Sequence, residues 1–104
     1  LIISGGFNIY PKEVEEALDS QFGVLETAVV GVPHPDLGEA AIGVVVARPD
    51  EMPDLDAMRL NIAARLARFK HPRDLVVINE LPRNTMGKVQ KAALRDTYKD
   101  HFQI

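Results

Sequence analysis

The chain has no cysteine among its 104 residues, so a disulfide or a thiolate metal site is excluded. Its apolar runs are short, and none reaches the roughly 20 residues that a membrane-spanning helix needs. We therefore expect no membrane partner and a protein of the reducing cytoplasm. Apolar residues make up 46% of the chain and charged residues 26%, which is typical of a globular domain.

The residue patterns of common self-sufficient catalytic sites are also absent. Ser4 and Ser20 do not lie in a nucleophile-elbow motif. His34, His71 and His101 are far apart and lack the spacing of metal ligands. We predict that the histidines are structural or solvated, that the chain holds no metal, and that it is not a hydrolase or zinc enzyme acting by itself.

Two glycine-containing stretches match phosphate-binding motifs only in part. Gly5-Gly6 lacks the third glycine of a dinucleotide-binding fingerprint. Gly87-Lys88 ends like a P-loop, but that motif also needs a glycine where this chain has Pro82 and a Ser or Thr where it has Val89. Neither phosphate cradle is predicted.

Charge is divided unevenly along the chain. Residues 1–58 contain two basic side chains and eleven acidic ones, whereas residues 59–104 contain ten basic and four acidic ones. The division indicates that the second half meets an anionic ligand. The alternative is that the two halves attract each other within the fold.

Apolar periodicity and turn residues predict an α+β fold, with a small, mostly antiparallel sheet and helices packed on it. The predicted strands cover 1–4, 7–10, 24–32, 40–47 and 75–78, and the helices run from 11 to a stop at Gly23, from 54 to 66, and over the last residues. The β-branched strand 24–32 is expected near the middle of the sheet.

Apolar residues three or four positions apart predict the buried faces of the helices, and Asp54 is predicted to cap the second helix. The three faces consist of Val14, Ala17, Leu18 and Phe22; of Leu55, Met58, Ile62 and Leu66; and of Leu94, Tyr98 and Phe102.

One polar loop, residues 81–91, is a candidate for chemistry. It joins the last strand to the last helix and contains Arg83, Lys88 and Lys91 with little apolar cover. Lys88 follows Gly87, and its ammonium can neutralise a carboxylate and a phosphate together. The alternative is an ordinary solvated loop, because exposed lysines are common.

Several stretches resemble the C-terminal domain of the adenylate-forming enzymes, the group of acyl-CoA synthetases, luciferases and peptide-synthetase adenylation domains. Residues 81–91 (Leu-Pro-Arg-Asn-Thr-Met-Gly-Lys-Val-Gln-Lys) resemble the closing motif of that family. Residues 5–15 (Gly-Gly-Phe-Asn-Ile-Tyr-Pro-Lys-Glu-Val-Glu) resemble the loop after its interdomain hinge. Residues 69–72 (Phe-Lys-His-Pro), 30–36 (Val-Gly-Val-Pro-His-Pro-Asp) and 38–39 (Gly-Glu) resemble further landmarks. The resemblance covers essentially the whole chain and is strongest to bacterial malonyl-CoA synthetases.

The resemblance implies an acid–thiol ligase that works in two half-reactions. A carboxylic acid and ATP, with Mg²⁺, give an acyl-adenylate, and coenzyme A then displaces AMP to give the thioester. Malonate or methylmalonate is the expected acid. Since the chain opens at Leu1 without a methionine, we expect a fragment of a longer protein. The resemblance implies that residues 1–104 are its mobile C-terminal domain. Its own N-terminal domain, absent from this chain, would hold most of the active site and the Mg²⁺, so this chain is expected to be inactive by itself.

The resemblance also implies a role for the lysine loop. Lys88 is expected to be the catalytic lysine that contacts the carboxylate and the nucleotide, and Asn84 and Gly87 are expected to position it. An acetyltransferase and a deacetylase acting on Lys88 would switch its charge off and on.

A second surface follows from the same resemblance. Gly5, Gly6 and Phe7 are expected to line the pantetheine channel once the domain has rotated, because glycine lets backbone pass close to a thin ligand. Basic residues that could meet the phosphates of coenzyme A are Arg68, Lys70, Arg73, Lys91 and Arg95.

Two alternatives stay open. One is a ligase for a fatty or aryl acid, since the acid pocket is expected outside this domain. The other is a stand-alone module that binds an anion or nucleic acid through the basic second half. Only Phe69, Tyr98 and Phe102 offer aromatic rings there, and no RNA-binding motif is present, so we expect no nucleic-acid partner.

Overall fold

The two longest strands pair along most of their length and form the centre of the fold. The computed structural model describes residues 1–103, so Ile104, the last residue of the predicted domain, lies outside it. Strand β3 (Val24–His34) runs antiparallel to β4 (Gly38–Ala47). Both strands are rich in β-branched residues, which suit a pleated backbone.

Three further strands complete the sheet: β1 (Ile2–Ser4), β2 (Phe7–Ile9) and β5 (Asp74–Ile78). β1 pairs antiparallel with β2 and, at its end, with β4, whereas β5 runs parallel to β4. The strand β4 therefore has neighbours on both sides. The predicted α+β fold with a mostly antiparallel sheet is confirmed.

The helices are α1 (Pro11–Asp19), α2 (Leu55–Arg65) and α3 (Lys91–Tyr98), with a short 3₁₀ helix at Arg68–Lys70. Parallel pairing of β4 and β5 requires a crossover connection, which α2 supplies. The side chain of Asp54 caps α2 as predicted, because it accepts hydrogen bonds from two backbone N–H groups of the first turn.

The sheet is buried on both faces, α1 and α2 covering one face and α3 the other. Alternate residues of β3 and β4 point into two different cores. The first core includes Val14, Leu18, Val29, Val45, Met58 and Ile62, and the second includes Val30, Val32, Ile42, Val44, Leu81 and Leu94. The predicted buried face of α2 is confirmed, and so are Leu94 and Tyr98 of the last helix. The helix ends at Tyr98, so Phe102 packs on the same core from beyond its end.

The prediction that the strand beginning at Val24 lies near the middle of the sheet is wrong. Within residues 1–103, β3 pairs only with β4 and is an edge strand. Its long apolar run reflects burial of both of its faces by helices. One backbone group of β3 has a side-chain partner from α1, since Glu15 accepts a hydrogen bond from the N–H of Val29 at 2.8 Å.

The first helix also ends earlier than predicted. α1 stops at Asp19, and Phe22, which was expected on its buried stripe, is 73% exposed. Gly23 lies in the turn that leads into β3, with φ at 81°. A Cβ at Gly23 would lie 3.0 Å from the backbone nitrogen of Pro53. Glycine is therefore needed here for a close backbone approach, not for ending the helix.

Asp74, the first residue of β5, joins three parts of the fold. Its carboxylate accepts a hydrogen bond from Arg59 of α2 at 3.0 Å, and it lies 2.7 Å from Nε2 of His101, which follows α3. The N–H of Leu75 also donates to it at 2.9 Å. Partial burial opposes ionisation, but these hydrogen bonds outweigh burial and lower the pKa of Asp74 from its ordinary value of 3.8.

We expect Asp74→Asn to lower the free energy of unfolding at about pH 7 by at most about 1 kcal/mol, because the carboxylate is partly exposed. Since the pKa of Asp74 is lowered in the folded state, its carboxylate stabilises the fold above pH 3.8, the ordinary pKa of the group. This stabilisation is lost as the pH falls below 3.8. Urea unfolding at about pH 7 and about pH 3 measures this. The control is Asp96→Asn, at a carboxylate that is 80% exposed. A stability difference that does not depend on pH would contradict the assignment.

Candidate functional site

Residues 83–89 form a narrow hairpin between β5 and α3. Arg83 and Val89 pair as an isolated antiparallel bridge. Inside this bridge, the N–H of Asn84 donates to the carbonyl oxygen of Lys88 at 3.0 Å. The sequence predicted a loop here but not this pairing, because a hairpin this short carries no periodic apolar signal.

The side chain of Asn84 closes the hairpin from the inside. Its Oδ1 accepts hydrogen bonds from the N–H of Met86 at 3.0 Å and from the N–H of Lys88 at 2.9 Å. The N–H of Gly87 donates to the carbonyl oxygen of Asn84 at 2.9 Å. Gly87 has φ at 81°, a conformation that glycine adopts without strain. Asn84 and Gly87 thus lie in the turn that carries Lys88.

Two of the three cations in this region are neutralised by acidic residues from the first half of the chain. Arg83 forms an ion pair with Glu26 of β3, and Nζ of Lys91 lies 2.6 Å from Oε2 of Glu15. Lys88 is exposed and has no ion-pair partner in the part of the chain that the structure describes. It is therefore the cation of this loop that remains available to an external anion.

A third ion pair joins the two halves of the chain. Nζ of Lys70, in the 3₁₀ helix, lies 2.9 Å from Oε1 of Glu13 in α1. Attraction between the halves within the fold therefore accounts for part of the uneven charge distribution.

A tight glycine turn joins β1 and β2. Ser4 pairs with Phe7, so Gly5 and Gly6 form a two-residue loop, with φ at 57° and 85°. Positive φ at both positions is what a type I′ hairpin turn needs. The N–H of Gly5 donates to the carbonyl oxygen of Leu37 at 2.9 Å, which fixes the turn against the β3–β4 connection.

Beside this turn lies a cleft with an aromatic wall. The rings of Phe7 and Phe69 are stacked, with centroids 4.8 Å apart and planes 22° apart. The cleft has a volume of about 650 Å³, and Gly5, Arg68 and Arg73 also line it. The sequence patterns did not predict the contact between the two rings, because it joins residues far apart in the chain.

The basic residues considered for coenzyme A are divided by the structure. Arg68 and Arg73 line the cleft, whereas Lys91 and Arg95 belong to α3 and are not among its lining residues. Lys70 is held by Glu13 and lies 5.6 Å from the centre of the Phe69 ring. The hairpin with Lys88 does not line this cleft either, so the candidate residues form two separate surfaces.

Each histidine ring has a partner within the chain. Nδ1 of His34 accepts hydrogen bonds from the N–H groups of Asp36 and Leu37. Nε2 of His71 lies 2.8 Å from the carbonyl oxygen of Leu66, and His101 contacts Asp74. Among residues 1–103, no group of three His, Cys, Asp or Glu side chains is arranged to hold a metal ion.

The helices are also short, and over the described residues none is long and apolar enough to cross a membrane.

Comparison with known proteins agrees with the motifs. Residues 13–88 match the family described as the AMP-binding enzyme C-terminal domain. The chain belongs to this family.

Relatives of the domain include named CoA ligases. It is 46% identical over 99 residues to a 3-[(3aS,4S,7aS)-7a-methyl-1,5-dioxo-octahydro-1H-inden-4-yl]propanoyl:CoA ligase of Rhodococcus jostii, covering 95% of this chain and 19% of that protein. It is 46% identical over 94 residues to a sulfoacetate–CoA ligase of Cupriavidus necator, covering 90% of this chain and 18% of that protein. The chain thus spans about a fifth of the length of these relatives.

The fold matches solved structures as well. The crystal structure of ATP-bound MatB from Rhodopseudomonas palustris superimposes on this domain with a TM-score of 0.96 and 48% sequence identity. The match covers 99% of this chain and 20% of the MatB chain. The architecture is therefore that of the AMP-binding enzyme C-terminal domain.

The turn between β1 and β2 gives a test of backbone strain. A Cβ at Gly6 would have no atom within 4 Å, so a substitution there is opposed by its φ of 85° and not by crowding. We expect Gly6→Val to lower the free energy of unfolding by about 1–2 kcal/mol, and Gly6→Asn to cost less because asparagine tolerates positive φ. Urea unfolding measures both variants. Equal stability of the two would contradict the turn geometry.

Proposed function

We propose that this chain works as the mobile C-terminal domain, residues 1–104, of an ATP-dependent acid–CoA ligase, together with an N-terminal domain of the same protein. The observation that carries the proposal is the state of Lys88. It stands exposed on a hydrogen-bonded hairpin without an ion-pair partner among the described residues, whereas Arg83 and Lys91 beside it are paired. A cation presented in this way suits an anionic reactant bound by another domain.

In the first half-reaction, a carboxylate oxygen attacks the α-phosphorus of ATP and pyrophosphate leaves. Both reactants are anionic, and negative charge grows on the phosphoryl oxygens in the transition state. The ammonium of Lys88 would offset the repulsion and stabilise that charge. Mg²⁺ would arrive with ATP and be held mainly by the N-terminal domain.

In the second half-reaction, the thiol sulfur of coenzyme A attacks the acyl carbon of the adenylate, the thiol proton is lost, and AMP leaves. The pantetheine arm would pass along the turn of Gly5 and Gly6 and the ring of Phe7. Arg68 and Arg73 line the same cleft and are the basic residues best placed for the phosphates of coenzyme A.

Rotation of the domain would connect the two steps. The hairpin and the cleft lie on separate surfaces of the same domain, so one orientation presents Lys88 and another presents the glycine turn. A single small domain could thus serve both half-reactions in turn.

We further propose malonate or methylmalonate as the acid, on the resemblance of residues 81–91 to malonyl-CoA synthetases. A fatty or aryl acid is the alternative, because proteins named as a long-chain-fatty-acid–CoA ligase and a 2-succinylbenzoate–CoA ligase are 40% and 36% identical to this chain, each over 98 residues. The acid pocket would lie in the N-terminal domain.

The protein would act in the cytoplasm, and reversible acetylation of Lys88 by a transferase and a deacetylase would regulate the first step.

A stand-alone nucleic-acid module is the weaker reading. Lys70, Arg83 and Lys91 of the basic second half are engaged in ion pairs, and the Phe69 ring is already stacked on Phe7. Part of the positive charge and one of the three aromatic rings of that half are thus already engaged within the fold, which weakens the surface that a polynucleotide would need.

We expect Lys88→Ala in the longer enzyme that carries this domain to lower the rate of acyl-adenylate formation by about 100-fold or more, because the transition-state charge loses its counterion. The rate of thioester formation from supplied acyl-adenylate should change little. Single-turnover assays of the two half-reactions measure this. Lys99→Ala, which removes a lysine that is 61% exposed and pairs with Asp96, is the control. Equal loss in both half-reactions would remove Lys88 from this role.

For the acid, we expect ATP–pyrophosphate exchange by the same enzyme to be fastest with malonate or methylmalonate in a panel that also contains acetate, a long-chain fatty acid and an aryl acid. A hydrophobic acid pocket would leave the second carboxylate of malonate without a partner, so exchange would then be faster with the fatty or aryl acid than with malonate. Fastest exchange with a fatty or aryl acid would overturn the proposed substrate and leave the ligase assignment intact.

A further inference from the structure

The guanidinium of Arg83 contacts two groups at once. Its Nη1 donates a hydrogen bond to the carbonyl oxygen of Gly87 at 2.8 Å, and its Nη2 forms an ion pair with Oε1 of Glu26. The first contact lies inside the hairpin, whereas the second reaches β3, 57 positions earlier in the chain. Arg83 thus links the turn that carries Lys88 to the edge of the sheet.

The peptide unit between Gly87 and Lys88 is therefore held at both of its polar atoms. Its carbonyl oxygen accepts from Arg83, and its N–H donates to Oδ1 of Asn84 at 2.9 Å. A peptide unit is planar, so two hydrogen bonds on opposite sides fix the orientation of the plane. The direction in which the chain enters the Cα of Lys88 is fixed with it.

The following peptide unit is held as well. The carbonyl oxygen of Lys88 accepts from the N–H of Asn84 and from Nε2 of Gln90, each at 3.0 Å. The backbone of Lys88 thus has partners on both sides, while its side chain is free to reach outwards. Among these contacts, only the link from Arg83 to Glu26 ties the hairpin to a different element of the fold.

We propose that Glu26 and Arg83 are positioning residues for Lys88, with Glu26 orienting the guanidinium and Arg83 holding the peptide unit of Gly87 and Lys88. This inference rests on the proposed function. The ion pair with Glu26 also keeps Arg83 away from the anionic reactants, so that Arg83 does not compete with Lys88 for them. The pair therefore leaves Lys88 as the cation that meets them.

The exposure of the pair separates this role from a contribution to stability. The side chains of Arg83 and Glu26 are 42% and 31% exposed, so their ion pair is screened by water and contributes little to the free energy of unfolding. Misplacing a catalytic group by about 1 Å can nevertheless slow a reaction about 100-fold. The structure thus predicts a kinetic effect without a matching loss of stability.

The test uses Arg83→Gln and Glu26→Gln in the longer enzyme. We expect the kcat of acyl-adenylate formation to fall about 10- to 100-fold, with the KM values for acid and ATP nearly unchanged, because a transition-state contact is misplaced. Thioester formation from supplied acyl-adenylate should be unaffected. Arg59→Gln is the matched control, since Arg59 is also 42% exposed and pairs with Asp74. In this variant both half-reactions should proceed at the wild-type rate.

A charge swap separates positioning from a simple ion pair. Glu26→Arg combined with Arg83→Glu restores opposite charges, but a glutamate at position 83 cannot donate to the carbonyl oxygen of Gly87. We expect adenylate formation to stay low in the double variant. The single variant Arg83→Lys should also form the adenylate slowly, because a lysine lacks the planar fork that serves both partners. Recovery of the wild-type rate by the swap would overturn the inference.

Hydrogen exchange gives a readout that does not depend on activity. The backbone amides of residues 84–88 should exchange faster in Arg83→Gln than in Arg59→Gln, while the amides of β3 and β4 exchange as in the wild type. Unchanged exchange in the hairpin would contradict the positioning role.

The proposed function fails if Lys88→Ala leaves adenylate formation intact. If Lys88→Ala abolishes that step while the Arg83 and Glu26 variants keep the wild-type kcat, only the positioning inference is overturned.

Discussion

Burial of both faces of the β3–β4 ladder is the constraint on which the rest of the fold depends. Both strands direct apolar side chains to either side, so neither face can be left in water. α1 and α2 cover the first face, and α3 and Leu81 cover the second. Residues 81–91 are the connection that leads from β5 to this last helix, and the hairpin that presents Lys88 is part of that connection.

The hairpin is tied to the sheet at the open edge of β3. Glu26 of that strand holds Arg83, and Glu15, which also accepts the edge N–H of Val29, holds Lys91. These pairs are partly exposed, so their contribution to stability is small and their main physical effect is to orient the segments that they join. The acidic half of the chain thereby restrains the basic half and, among residues 1–103, leaves Lys88 without a carboxylate partner.

Two surfaces of different character follow from this arrangement. The hairpin presents a single cation on a backbone held by hydrogen bonds, which suits charge stabilisation at a reacting group. The cleft near the β1–β2 turn presents glycine backbone, stacked rings and two arginines, which suits a long ligand with an anionic end. One small domain carries both surfaces, so the rotation proposed above would exchange one for the other.

The sequence by itself determined the local features. The cap at Asp54, the buried stripe of α2 and the two-residue gap between the first two strands were all predicted correctly, since each depends on residues a few positions apart. Motif resemblance singled out Lys88 and the family without any knowledge of contacts.

Tertiary structure decided the rest. It placed β3 at the edge, stacked Phe7 on Phe69, and gave Arg83 its carboxylate partner. These outcomes join residues that are tens of positions apart, and no local pattern specifies which carboxylate a given cation will meet. Which cation of the hairpin lacks a partner among residues 1–103 is therefore a property of the fold, because it depends on where the sheet edge brings the glutamates.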